Sequence, residues 1–279
     1  METILIPTDF SNTAKNAAKY AAAIATQTGA KTVILYHSYA SNTIVTGDPM
    51  VPALNMFNIN ELKENADAGL KTEALALKEV LPSGVTIETI SEYGFLTDCI
   101  AELCKTRKID LLIMGISGSG SFQENFIGSN AINVAKHITI PVIVVPNKAS
   151  AHNIQKIAVA TDFREVAEST PFNAIRKILE ETKAELYVLN VDHNERNRSE
   201  DFDYENMMVE TFLEKFKPIV KLIDNPDFVT GMNEFVEQNG IDLVVMIPKK
   251  HGLFDSFFKR SHTKMLAFHA EVPIMVVHK

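Results

Sequence analysis

The chain reads as an α/β protein built twice: two tandem domains, each a five-stranded parallel sheet of order 3-2-1-4-5 flanked by helices. Three observations predict this. "ILIPTDFS" from Ile4 returns as "IAVATDFR" from Ile157, "IDLLIMG" from Ile109 returns as "IDLVVMI" from Ile241, and "IPVIVV" from Ile140 returns as "VPIMVV" from Val272. Short, almost continuously apolar runs alternate with helical patterns, which suits parallel strands covered on both faces and joined by right-handed crossovers. A polar connection, "PNKASAHNIQ", separates the copies, so the domains are set at 1–146 and 154–279.

Within the first copy each element follows from its own pattern. "TILIP" is a strand. "SNTAKNAAKYAAAIATQTG" is an alanine-rich helix with Ser11 as N-cap and Gly29 as its stop. "KTVILYHS" is the second strand, followed by a long loop around "TGDPMVP" and a helix from Asn60 to Leu81. "VTIETIS", "DLLIMG" and "PVIVVP" are the remaining strands, with helices over "LTDCIAELCKTRK" and "SNAINVAKHI" between them. The repeat offset falls from 153 to 132 residues, so the second copy lacks 21 residues somewhere after its second strand. The acidic stretch "DHNERNRSEDFDYE" in that copy reads as a mobile loop.

Composition narrows the function. The 279 residues carry a net charge of −8, which argues against general nucleic-acid binding. No apolar run is long enough to span a bilayer, and "METILIPTDFS" lacks signal-peptide features, so a cytoplasmic protein is expected. Cys99 and Cys104 have no metal-ligand partners nearby and read as buried thiols.

Four of the twelve glycines, Gly115, Gly118, Gly120 and Gly128, cluster in "MGISGSGSFQENFIGSN". Ordering glycine is costly, and such a cluster between strand and helix fits close approach of backbone to a ligand. In an open parallel sheet ligands bind beyond the strand carboxyl ends where strand order reverses, which brings Thr8 and Asp9 together with Gly115. Gly128, Ser129 and Asn130 open a helix whose first amides favour an anion. Asp9 suits a ribose hydroxyl or an adenine amino group; its alternative role is a helix cap. Pro7, Ser38 and Met114 complete the set of candidate contacts at the strand ends. No lysine lies in the loop, so this is not a G-x-x-x-x-G-K-[ST] phosphate loop; backbone amides do the work, with Mg²⁺ an optional companion.

These residues resemble the universal stress protein family in its tandem form. Gly115, Gly118, Gly128 and Ser129 match the family's G-x2-G-x9-G-[ST] pattern, Asp9 matches its aspartate after the first strand, and "IPVIVV" its final strand. The resemblance implies a Rossmann-like, adenine nucleotide alpha hydrolase-like fold, ATP or AMP bound between strands one and four, a role in stress response, and pairing of the two copies as an intramolecular pseudo-dimer, with a homodimer a further option. Ile247, Lys250 and Arg260 stand where the first copy has Gly115, Gly118 and Gly128, so the second copy is expected not to bind nucleotide in the usual way, although it keeps Asp162 and has Ser261 opposite Ser129. No catalytic residue is assigned: Glu124 is the loop's lone carboxylate, and slow hydrolysis at most is expected. The alternative is a protein-interaction module of the same fold. Near the C-terminus, His251, His262, His269, His278 and the surrounding cations read as a solvated rim, and Phe254, Phe257 and Phe258 as core of the second domain.

Overall fold

The computed structural model describes residues 1–40, 51–116, 129–192, 201–248 and 272–279. In the first half β1 (Thr3–Pro7), α1 (Asn12–Thr28), β2 (Thr32–Tyr39), α2 (Val51–Val80), β3 (Thr86–Tyr93), α3 (Leu96–Thr106), β4 (Leu111–Ile116), α4 (Ser129–His137) and β5 (Val142–Pro146) alternate along the chain. The second half follows with β6 (Lys156–Ala160), α5 (Val166–Ser169), α6 (Phe172–Thr182), β7 (Glu185–Asp192), α7 (Phe202–Leu213), β8 (Ile219–Asp224), α8 (Phe228–Asn239), β9 (Leu243–Met246) and β10 (Ile274–Val276).

All ten strands form one sheet, ordered β3-β2-β1-β4-β5-β10-β9-β6-β7-β8. Pairing is parallel within each half and antiparallel where the halves meet, at β5 and β10. That junction centres on Ile143 opposite Met275, repeat counterparts of each other, so the two sheets join about a local two-fold. Apolar residues cover both faces. One layer packs against α1, α2, α6 and α7, the other against α3, α4 and α8. Gln27 ties the halves further: its side-chain oxygen accepts from Ile154 N at 2.9 Å, and its amide donates to Ile154 O and Thr182 O at 2.8 and 3.2 Å.

Local rules account for most boundaries. Ser11 Oγ accepts from Ala14 N at 3.2 Å, and Gly29 ends α1 in the left-handed region at φ 68°. Three expectations need correction. The helix expected from Asn60 begins at Val51, inside the stretch read as loop. Pro52 is no obstacle there, because first-turn amides have no helical partner to lose. The acidic stretch read as a mobile loop ends in helix from Phe202, whose buried ring packs 4.9 Å from that of Phe163. The shortening of the second copy falls at the same place: α2 has 30 residues and α7 has 12. Cys99 and Cys104 are free, and half-buried rather than buried, since each sits on the rim of α3.

Candidate functional site

The end of β1 is held by a short series of side-chain to backbone bonds. Thr8 N continues the ladder to Tyr36 O at 2.8 Å, while Thr8 O accepts from His37 Nδ1 at 2.7 Å, which places the imidazole proton on that nitrogen. Thr8 Oγ1 accepts from Phe10 N at 3.0 Å, and Asp9 Oδ1 accepts from Ser11 N at 3.0 Å. These bonds hold Phe10 in the left-handed region at φ 64°, a conformation costing about 1–2 kcal/mol for a residue with a Cβ. Its ring is clamped in return, lying 4.5 Å from the His37 ring and against the bare backbone of Gly69, where a Cβ would come within 2.6 Å of it. The tight turn leaves Asp9 exposed at the carboxyl end of the sheet.

Around that carboxylate lies a cavity of about 200 Å³, lined by Pro7, Thr8, Asp9, Ser11, Thr13, Ala14, His37, Ser38, Leu96, Met114, Gly115, Asn130 and Ala131. Seven of the ten candidate contacts therefore meet in one place: Pro7, Thr8, Asp9, Ser38, Met114, Gly115 and Asn130. Ser129 begins α4 beside it. Gly118, Gly128 and Glu124 lie outside the described residues, as do Lys250, Arg260, Ser261, His251, His262, His269 and the three phenylalanines from Phe254. His278 lies within them; its Nε2 donates to Ala135 O at 2.6 Å. The volume is smaller than that of an ordinary small-molecule pocket. Gly115 near the end of β4 and Asn130 in the first turn of α4 both line this cavity.

Sequence reasoning missed Ser11, Thr13, Ala14, His37, Leu96 and Ala131, all within two residues of a strand end or at the N-caps and first turns of helices that open onto the strand carboxyl ends. That position was the available signal. Gly115 also has a reason independent of any ligand. A Cβ there would lie 2.7 Å from Thr13 O in the first turn of α1, so the absent side chain serves helix-on-strand packing before any ligand is considered.

The second half keeps the turn and changes its surroundings. Thr161 Oγ1 accepts from Phe163 N at 3.1 Å, Asp162 Oδ1 accepts from Arg164 N at 3.2 Å, and Phe163 is left-handed at φ 48°. Asn190 stands where His37 does, and its amide donates to Thr161 O at 2.9 Å. Ile247, however, fills the position of Gly115, and the helix that corresponds to α1 is broken by Thr170 and Pro171 into α5 and α6. Phe163, Val166 and Ile247 are all buried, Asp162 is 6% exposed, and Val191 replaces Ser38.

The universal stress protein family model matches residues 1–146 and again 153–278. The chain belongs to the universal stress protein family. Among curated relatives, the universal stress protein MJ0577 of Methanocaldococcus jannaschii is 31% identical over 156 residues, covering 53% of this chain and 96% of its own length. Such single-copy relatives match about half of a tandem universal stress protein. A universal stress protein from Archaeoglobus fulgidus superposes over 99% of this chain and 96% of its own with a TM-score of 0.70 at 17% identity, a likeness of fold across both halves. One universal stress protein solved in complex with cAMP covers 52% of this chain at 24% identity, with a TM-score of 0.39. Among the described residues no helix is long and apolar enough to cross a membrane, and no group of three His, Cys, Asp or Glu side chains is placed to hold a metal ion.

Proposed function

We propose that the first half binds an adenine nucleotide, ATP or AMP, in the cavity between β1 and β4, and that the second half serves as scaffold or regulator in a stress-response role. The observation that carries this is the convergence of Pro7, Thr8, Asp9, Ser38, Met114, Gly115 and Asn130, drawn from four separate stretches of sequence, onto one cavity at the strand carboxyl ends. Each has a chemical use. Asp9 accepts from a ribose hydroxyl or an adenine amino group, Ser38 and Asn130 supply further polar contacts, and Pro7, Met114 and Leu96 give an apolar wall for a base. The first amides of α4 and the glycine backbone before it face the phosphates, with Mg²⁺ screening their charge where it is bound.

Hydrolysis is slow or absent in this reading. Phosphoryl transfer needs a positioned water and charge neutralisation at the transferred group, and the described wall holds no free cation aimed at such a group. The role is cytoplasmic, and the two halves act as one unit.

Calorimetry on the full chain tests the reading. One saturable site for ATP or AMP is expected, and Gly118→Lys should weaken it by at least about tenfold, which is roughly 1.4 kcal/mol. Two equivalent tight sites would refute the assignment of the second half. Phosphate release faster than about 1 per second would refute slow hydrolysis. An absence of binding at saturating nucleotide would leave the interaction module as the better account.

A further inference from the structure

Beneath the turn that carries Asp9 lies a carboxylate that the proposed contacts do not use. Glu73 projects from α2, is 7% exposed, and neither of its oxygens has a hydrogen-bond partner among the described residues. It lines a separate cleft between α1 and α2 together with Lys15, Lys19 and Asn16. The groups that act on it come from every packed element: Thr8 and Asp9 from the β1 turn, Lys15 from α1 and His37 from β2. From β3, the face toward α2 carries Ile87 and Ser91, while Glu92 turns to the other face to accept from Tyr36. The Thr8 oxygen already accepts from Phe10 N, so its own proton is available to the Glu73 carboxylate.

The second half shows what this position does when it is purely structural. The repeat offset of 132 sets Leu70, Leu77 and Leu81 against Phe202, Val209 and Leu213, all buried, and sets Glu73 against Glu205. Glu205 Oε2 accepts from Val166 N at 2.8 Å and so anchors the first turn of α5. Glu73 has no such anchor among the described residues, and it sits under a turn that opens onto a cavity.

We propose that Glu73 is a positioning residue of the candidate pocket, acting through Thr8, and that it takes up a proton when an anionic nucleotide binds. This rests on the nucleotide reading given above. Burial raises its proton affinity above that of an ordinary glutamate, with Asp9 pushing the same way and with the Thr8 hydroxyl, Lys15 and His37 opposing. A phosphate-bearing ligand adds negative potential beside Asp9, and the least solvated carboxylate nearby is the one that becomes neutral. One proton moves from buffer to a Glu73 oxygen, and no other bond changes.

The test is calorimetry of AMP binding to the full chain across about pH 5 to 8, in two buffers of different ionisation heat at each pH, for the wild type, Glu73→Gln, Glu205→Gln and Lys15→Met. The Gln variant also subtracts the protons that AMP itself exchanges. At the pH of maximal uptake, wild type and Glu205→Gln should each take up at least about 0.3 protons more per AMP than Glu73→Gln, and Lys15→Met should move that maximum to higher pH. At about pH 7.5 Glu73→Gln, neutral at all pH, should bind AMP about threefold to tenfold more tightly. Equal proton uptake in wild type and Glu73→Gln, or Lys15→Met without effect, overturns this proposal while leaving nucleotide binding intact. No AMP binding to any of the four proteins overturns both.

Discussion

The two halves share the turn at the end of their first strand, bond for bond, yet the first leaves its aspartate exposed beside a cavity and the second buries its own. Thr8 and Thr161 accept from the amide two residues on, Asp9 and Asp162 do the same, and Phe10 and Phe163 are both left-handed. The difference lies in the neighbours. Gly115 lets an unbroken α1 approach β4, while Ile247 coincides with a broken helix and a buried Phe163. The same local motif therefore stands in two different surroundings, and the residue one strand away sets how closely the helix after it is packed.

The largest expected effect comes from exchanging that residue. Gly115→Ile drives a side chain into Thr13 O and should cost about 3 kcal/mol or more in urea unfolding, because backbone cannot yield as a side chain tip can. Ile247→Gly should cost about 4 kcal/mol by leaving a void. A neutral Gly115→Ile would show that the two halves do not differ for the steric reason given.

A smaller effect separates Asp110 from its counterpart Asp242. Each accepts two backbone amides at the start of the first strand of its half, Glu2 N and Thr3 N for Asp110, Gln155 N and Lys156 N for Asp242. Asp110 also receives Lys177 from the other half, at 2.5 Å. Burial alone would raise its pKa, but the Lys177 bond and the two amides outweigh burial and bring it down to about 2. Its folded value lies below the unfolded one. The contribution, about 2 kcal/mol, is therefore complete above about pH 4 and disappears as pH falls through about 2. Asp110→Asn should remove it and flatten the stability profile in that window. Lys177→Met should cost under about 1 kcal/mol, since the ammonium is 42% exposed.

An effect of similarly small size is at the helix start. Ser11→Ala should cost about 1 kcal/mol through loss of the bond to Ala14 N, measured by thermal or urea unfolding. Arg164→Ala at the matching position should cost nothing through capping, since α5 begins without a side-chain cap.

Much of this was legible in the sequence because it rests on local chemistry. Repeated strands, the Ser11 cap, the Gly29 stop and the strand-end rule are all short-range signals, and they brought Asp9 and Gly115 to one cavity. What was not legible depends on distant packing. Val51 opens a helix because first-turn amides tolerate Pro52, which a rule that treats proline as punctuation misreads. Phe202 is helical because its ring meets Phe163, although the sequence around it is acidic enough to read as loop. Glu73 and Glu205 are the same residue at the same repeat position, and only the fold shows that one holds an amide and the other does not.

The antiparallel seam between β5 and β10 has an evolutionary reach beyond its hydrogen bonds. Val142 to Val145 are fully enclosed there, so each half shields the adhesive border of the other. Covalent tethering makes that embrace independent of how dilute the protein is in the cell. A single-copy chain that pairs with itself is constrained to keep both members identical, whereas a fused pair is released from that demand and its two halves can diverge residue by residue, as Gly115 and Ile247 do.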